Sequence, residues 1–342
     1  MKRIAKANLA ELLSAMAAEA KLYVPAESDG IVNFVSWQEG LAVELAALNV
    51  LVPPKKFFYP QTETVLKYEM GEDLQIEDFA CKAGEKAILF AVRPCDVSSF
   101  AMMDKVYLEE PPDEAYRRRR ENTTVIALGC TEPDEACFCQ SFDIDAAKAP
   151  GADVLAVDTG EELALVAQTE KGEELISALN GLLSEATSGD ENKVKDEQEK
   201  IADRYVTSVS LRGIKERLAG MFAADYWERL YKRCIGCGTC TFLCPTCHCF
   251  DLQEYAAGNC GERIRCWDAC MFADFTQMAG GHNPRPSQKE RVRQRFMHKL
   301  NYFPQQHGDY ACVGCGRCVR KCPVNLDILE VIREAGGGTD GL

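Results

Sequence analysis

Two runs of cysteines near the end of this 342-residue chain carry the residues best suited to chemistry. Cys234, Cys237, Cys240 and Cys244 stand in the spacing C-x2-C-x2-C-x3-C-P, closed by Pro245, and Cys312, Cys315, Cys318 and Cys322 repeat it, closed by Pro323. In this pattern three closely spaced thiolates wrap one face of an iron-sulfur cubane, while the trailing cysteine of each run reaches the neighbouring cluster. The spacing therefore predicts two [4Fe-4S] clusters, one on Cys234, Cys237, Cys240 and Cys322, the other on Cys244, Cys312, Cys315 and Cys318. Gly236, Gly238, Gly314 and Gly316 fit that reading, because glycine lets backbone N–H groups turn toward the sulfurs. Two structural zinc sites compete with it, but zinc has no use for the third cysteine and the trailing Cys-Pro of both runs. Clusters with cysteine ligands alone leave no open iron for a substrate, so the expected role is a one-electron relay.

A second group of cysteines lies in the N-terminal half. Ala87 to Val92 and Thr123 to Leu128 are short continuous apolar runs, and Ser98 to Leu108 between them has helical spacing through Phe100, Met103, Val106 and Tyr107. This is the pattern of a βαβ unit with two parallel strands. Cys95, in Arg93-Pro94-Cys95-Asp96, and Cys130 then sit just past the C-terminal ends of the two strands, the edge where open α/β sheets bind ligands. Cys137 and Cys139 follow in the next loop. Cys95, Cys130, Cys137 and Cys139 are thus candidate ligands of a third [4Fe-4S] cluster. Their spacing matches no standard pattern, and buried thiols or a zinc site are the alternatives. Cys81 lies off this edge and reads as packing.

Composition bounds the rest. A formal net charge of -14 argues against nucleic acid, whose binding depends on basic contacts to phosphate. Eighteen cysteines in a chain of this size, with two runs that require thiolates, point to a reducing cytoplasm. Glu11 and Glu19 interrupt the apolar N-terminal stretch, which therefore lacks the h-region of a signal peptide. No apolar run approaches the roughly 18 residues needed to span a bilayer, so no membrane insertion is expected.

The elements that position these cysteines follow from periodicity. Leu9, Leu12, Leu13 and Met16 predict a first helix, and Ile31 to Trp37 a strand. Lys55 to Glu63 mixes basic, aromatic and proline residues and has the chemistry of a docking loop or of a partly buried one. Asp153 to Asp158 and Leu163 to Gln168 predict a hairpin, followed by a helix from Glu173 to Glu185. Ser188 to Lys200 is almost wholly polar, a linker or a solvated helix, and places a domain boundary near residue 200. Beyond it, Leu211 to Phe222 and Tyr226 to Arg233 read as helices. So do Ile264 to Met278, through Ile264, Trp267, Met271, Phe275 and Met278, and the segment opened by Ser287, through Val292, Phe296 and Leu300. Two helices between the cysteine runs exceed what a compact ferredoxin holds. The expected architecture is an α/β N-terminal domain with a parallel βαβ unit (1–200) and a helical ferredoxin-like dicluster domain (201–342), closed by a helix from Leu326 to Ala335 that Gly336 to Gly338 stop.

Several stretches together resemble a known family, the iron-sulfur beta subunits of cytoplasmic NiFe sulfhydrogenases together with the corresponding iron-sulfur subunits of the anaerobic sulfite reductases. They are Pro54-Lys55-Lys56-Phe57-Phe58-Tyr59-Pro60-Gln61-Thr62-Glu63, Arg93-Pro94-Cys95-Asp96, Cys137-Phe138-Cys139, Cys244-Pro245-Thr246-Cys247-His248-Cys249-Phe250, Gly280-Gly281-His282-Asn283-Pro284-Arg285 and the closing cysteine run. The resemblance spans nearly the whole chain. It implies an electron-transfer subunit working between a flavin subunit that handles NAD(P) and a catalytic or bifurcating partner of hydrogenase, sulfite reductase or heterodisulfide-reductase type. Cys247, Cys249 and Cys270 lie in segments shared with the family, whereas Cys260 and Cys266 look particular to this chain. Cys266 and Cys270 would share a helix face, open to a further metal site with Cys247 and Cys249 or to plain packing.

Arg285, Lys289, Arg291, Arg293, Arg295, His298 and Lys299 form a basic helix in an acidic chain, either a solvated face or a docking surface for an acidic partner. A catalytic subunit is the competing function. A heterodisulfide-reductase-like site lacks its Cys-Cys-Gly here, and a flavoprotein lacks G-x-G-x-x-G after a strand.

Overall fold

The computed structural model describes residues 1–82 and 84–335. The predicted glycine stop at Gly336 to Gly338 and the side chain of Cys81 lie outside the described residues. In chain order the N-terminal half runs β1 (Lys2–Ala5), α1 (Leu9–Glu19), β2 (Lys21–Ser28), β3 (Ile31–Ser36), β4 (Thr62–Met70), β5 (Leu74–Asp78), β6 (Ala87–Val92), α2 (Pro94–Tyr107), α3 (Glu114–Asn122) and β7 (Thr123–Leu128). β8 (Val154–Asp158), β9 (Glu162–Ala167), α4 (Glu170–Ala178), β10 (Ser184–Glu185) and α5 (Ser188–Lys200) complete it.

Eight strands form one sheet in the order β10-β1-β9-β8-β7-β6-β2-β3. Its centre is parallel: β2 pairs β6, β6 pairs β7 and β7 pairs β8, all in parallel, as the βαβ pattern predicts. The apolar runs of β6 and β7 are continuous because both faces are covered. Leu89, Val92 and Val125 pack on the side of Phe100 and Met103 of α2. Ile88, Phe90 and Ile126 pack on the side of Leu12, Leu13 and Met16 of α1. The hairpin of β8 and β9 is antiparallel as expected.

Two boundaries differ from the sequence reading. α2 begins at Pro94, since proline suits the first helical turn, and this places Cys95 inside the helix start instead of in a loop. The helix expected over Glu173 to Glu185 starts earlier, capped by the Thr169 hydroxyl accepting from Gly172 N, and ends at Ala178 so that β10 can pair with β1. The polar stretch before residue 200 is a helix, α5, with a full capping box at Thr187 and Asp190.

The second half contains α6 (Ile214–Gly220), α7 (Tyr226–Leu230), α8 (Thr239–Phe242), β11 (Phe250–Ala257), β12 (Cys260–Trp267), α9 (Gln288–Met297), α10 (Phe303–His307), α11 (Arg317–Arg320) and α12 (Ile328–Ala335). The helix expected from Ile264 to Met278 does not form. Residues 250–267 are a β-hairpin, and its turn is Gly258-Asn259, with Gly258 at φ +60. A Gly-Asn pair between two strands is a hairpin signal that outweighs the three-to-four spacing. Cys266 is therefore on a strand and Cys270 on the loop after it, and they share no helix face. One of the two helices expected between the cysteine runs remains, α9, with its capping box at Ser287 and Glu290.

The hairpin reaches across the chain. β12 pairs antiparallel with β4, giving a four-stranded sheet β11-β12-β4-β5 built from both sides of residue 200. Arg265 on β12 fastens it, sharing Glu63 of β4 with Arg119, whose ion pair measures 2.6 Å. No helix among the described residues is long and apolar enough to cross a membrane.

Candidate electron-transfer site

Three cavities are lined by the three cysteine sets that the sequence grouped together, and all these thiols are free. The first is lined by Cys234, Cys237, Cys240 and Cys322, with Met271 and Phe296 as apolar walls. The second is lined by Cys244, Cys312, Cys315 and Cys318 beside Lys299 and Arg317. The third is lined by Cys95, Cys130, Cys137 and Cys139, with Tyr205 and Asn49. Among the described residues no three Cys, His, Asp or Glu side chains converge tightly enough to hold a single metal ion.

Local sequence explains the first two cages. Gly236, Gly238, Gly314 and Gly316 all have positive φ, between +59 and +73, and let each run curl around its cavity. Gly236 N donates to Cys234 Sγ at 3.4 Å and Leu326 N to Cys322 Sγ at 3.2 Å. Lys299 Nζ lies 3.1 Å from Cys244 Sγ, 3.0 Å from Thr246 Oγ1 and 2.9 Å from Ala311 O. Arg295, 4 % exposed, lines both cavities, and its Nε has no partner. A buried cation with an orphaned donor facing four-thiol cages fits a bound anionic cluster. The sequence reading puts these two cations on a solvated or docking helix. The structure corrects that, turning Arg295 and Lys299 inward, while Lys289 pairs with Glu228 at 2.5 Å and Arg293 sits 3.9 Å over the Phe222 ring.

Burial is the main influence on these thiols. It pushes Cys318 up to about 12 against the opposing field of Arg295, and pushes Cys312 up against that of Lys299. A thiol at such a site gives up its proton when iron replaces it. Cys244 is held well below its ordinary value, first by the hydrogen bond from Cys247 and then by Lys299.

The third cage is built at the sheet edge. Ala91 has φ +64 and the β6–β7 register shifts between Phe90 and Val92, a bulge that re-aims the chain just before the cage. Arg93 then bridges the strand exits, donating to Ala47 O at 3.0 Å and Gly129 O at 3.1 Å. Cys139 Sγ is 2.8 Å from Tyr205 Oη, and burial pushes this thiol up to about 12. Burial likewise raises Cys95 and Cys130.

The cages adjoin. Cys315 lines the second and third cavities, and Arg295 the first and second. Phe138 N donates to Gly314 O at 2.9 Å, and a Cβ on Gly314 or Gly316 would lie 2.5 Å from the Phe138 carbonyl or 2.4 Å from Ala136 O. Asp96, next to Cys95, holds Arg317 of the last cysteine run in a bidentate pair at 2.7 and 2.7 Å, with side chains 2 % and 3 % exposed. The pair acts as a bolt between cages, and the sequence offered only its residue types. Lys55, Tyr59 and Tyr107 form a second bolt, donating to the carbonyls of Cys247, Cys249 and His248 at 2.5, 3.0 and 3.2 Å. The segment from Lys55 to Glu63 is thus a docking loop for this chain's own second half, with Lys55, Phe58 and Tyr59 buried. Burial lowers Lys55 to about 8 despite the neighbouring thiols.

Residues 233–326 match the model of a 4Fe-4S dicluster domain, which assigns two [4Fe-4S] clusters to this stretch. The sulfhydrogenase 2 subunit beta of Pyrococcus furiosus is 31% identical over 319 residues, covering 93% of each chain. No solved structure matches the chain. Identity at that level over that length, with the dicluster segment in place, shows that the chain belongs to the family of sulfhydrogenase beta subunits, iron-sulfur electron-transfer subunits of an oxidoreductase.

Proposed function

We propose that the chain is a three-cluster wire inside a multi-subunit oxidoreductase, relaying single electrons between a flavin subunit that handles NAD(P) and a catalytic hydrogenase, sulfite reductase or heterodisulfide-reductase type partner. The observation that carries this reading is the row of three cysteine-lined cavities joined through Cys315 and Arg295. Cys234, Cys237, Cys240 and Cys322 hold the first cluster, Cys244, Cys312, Cys315 and Cys318 the second, and Cys95, Cys130, Cys137 and Cys139 a third. The second half provides a ferredoxin-like frame of short helices around the first two, and the 1–200 segment provides the third. Bound clusters supply one-electron chemistry. The chain's own residues set the spacing, exclude water, and offset cluster charge with Lys299, Arg295 and Arg93. Cys237 is exposed and Ile235 is 63% exposed, so the first cage is the end that meets a partner.

The test is iron and acid-labile sulfide on the whole chain purified without oxygen. The wild type should carry about twelve irons, and Cys95→Ser or Cys130→Ser should remove about four of them. Eight irons in both would leave a two-cluster relay. Zinc in place of iron, or unaided oxidation of NADH or NADPH by the chain alone, would sink the relay itself.

A further inference from the structure

The sheet β11-β12-β4-β5 has two unlike faces, and its apolar face is only half covered. Register places Tyr68 opposite Ile76 and Met70 opposite Leu74, so these side chains and Leu66 share one face. Lys67 opposite Glu77 and Glu69 opposite Gln75 make the other face polar. On β12, Arg263 stands opposite Leu66, and Arg265, two residues on, continues the apolar face to where the first half roofs it. There the Arg265 guanidinium lies 5.4 and 5.7 Å from the Tyr59 and Tyr107 ring centres. Toward β5 the roof stops, leaving Leu74 and Ile76 each 60% exposed and Met70 51% exposed. Tyr68, between the covered and open parts, is held in place. It lies over Gly261, where a Cβ would come 2.3 Å from its ring, and its hydroxyl donates to Glu254 at 3.1 Å. β5 is an edge strand hydrogen-bonded to β4 alone, and every one of its residues is exposed. One row of its backbone N–H and C=O groups is open to another chain.

Charge decides which chain that is. Residues 69–78 carry Glu69, Glu72, Asp73, Glu77 and Asp78 and no cation. The cations beside them are already engaged, Lys67 with Glu262, Lys82 with Glu77 and Arg263 with Glu254. A second copy of this chain, meeting the same edge about a twofold axis, would bring two sets of these carboxylates together, which repulsion opposes. A chain of opposite charge gains from them instead. We infer that β5 is the docking edge for another subunit of the oxidoreductase. That subunit adds an extended segment beside β5, lays apolar side chains on Met70, Leu74 and Ile76, and carries Lys or Arg to meet Glu72 and Asp73. The inference rests on the proposed multi-subunit assembly and on none of the clusters.

The experiment uses the complex purified anaerobically from its own cells through a tag on this chain, beside the full chain purified alone. Amide hydrogen exchange over Leu74–Asp78 should be slower in the complex by about tenfold or more. A carbodiimide, which joins a carboxylate to a lysine in direct contact, should link Glu72 or Asp73 to a lysine of another subunit. Leu74→Asp/Ile76→Asp should lose that subunit while the chain keeps its iron content and melting temperature. Tyr255→Asp is the control. Tyr255 is 55% exposed and stands opposite Glu262 on the polar face, so its replacement should leave the complex whole. Equal exchange of the β5 amides in the complex and in the chain alone would overturn the inference while leaving the assembly standing. So would a carbodiimide link between two copies of this chain, which would make the edge a self-association surface. A tagged chain that emerges with no other subunit at low salt would overturn the assembly and the inference together.

Discussion

Breaking the Asp96–Arg317 pair should cost far more than its removal as a whole. Both carboxylate oxygens face the guanidinium at 2.7 Å, and both side chains are almost fully buried. Asp96→Leu leaves a cation in the interior between two cages, and Arg317→Met leaves a bare carboxylate. Each should lower stability by about 3–5 kcal/mol. The double variant Asp96→Leu/Arg317→Met removes both charges and loses only the 2.9 Å bond from Arg317 Nε to Val50 O, worth about 1 kcal/mol. The coupling between the two positions should therefore be about 5–9 kcal/mol, above the range of ordinary contacting pairs because each single variant strands a buried charge. The assay is anaerobic urea unfolding followed by tryptophan fluorescence on the four proteins of the cycle, compared at equal iron content. Cys95 and Cys315 flank the pair, so each single variant should also load less iron than the double. Additivity within about 0.5 kcal/mol would refute the argument, because it would mean that neither charge depends on the other.

Other consequences follow from the same geometry. Gly314→Ala places a Cβ 2.5 Å from the Phe138 carbonyl at φ +59, and should cost at least about 1–3 kcal/mol, read as a lower melting temperature and reduced iron in the second and third cages. Lys299→Met removes the cation 3.1 Å from Cys244 and should make one cluster harder to reduce, seen as a more negative midpoint in an electron-paramagnetic-resonance titration. Burial holds His248 down to about 4 and His298 to about 3, so the folded chain binds fewer protons than the unfolded one below pH 6.5. Stability should therefore fall as pH drops from 6.5 to 5.5. The two imidazoles together contribute at most about 2 kcal/mol across that step, and less once their partial exposure is allowed for. His298→Phe should flatten the urea midpoint over the same range.

The chemistry of this chain was readable wherever it is written locally. The cysteine runs and their glycines curl as their spacing dictates, and the parallel pairing of β6 and β7 brings Cys95 and Cys130 to one edge. Pairing between distant segments was not readable. Nothing in Thr62 to Met70 announces β12 as its neighbour, because an antiparallel pair fixes its partner through register and packing. The misread helix from Ile264 to Met278 shows the same limit, since a spacing of three to four also occurs by chance where a strand meets a loop. Lys55, Arg295 and Lys299 were visible as cations. Their burial depends on which way a helix or loop faces, and only the assembled core decides that.

The interlock between the halves has a physical consequence for a relay. Electron tunnelling falls off steeply with distance, so a wire works only if its cages cannot drift apart. A flexible tether at residue 200 would leave that spacing to chance. Here the two cysteine runs are fixed to the first half at several independent points. They are the Asp96–Arg317 pair, the Phe138–Gly314 backbone bond, the Lys55–Tyr59–Tyr107 grip on residues 247–249, and the β4–β12 ladder. The first two fasten walls of the second and third cages, and the other two hold the segment that follows Cys244 and the β11–β12 hairpin. Loss of one should loosen one wall while the others hold, so single variants at these bolts should alter cluster content and stability before they separate the two halves.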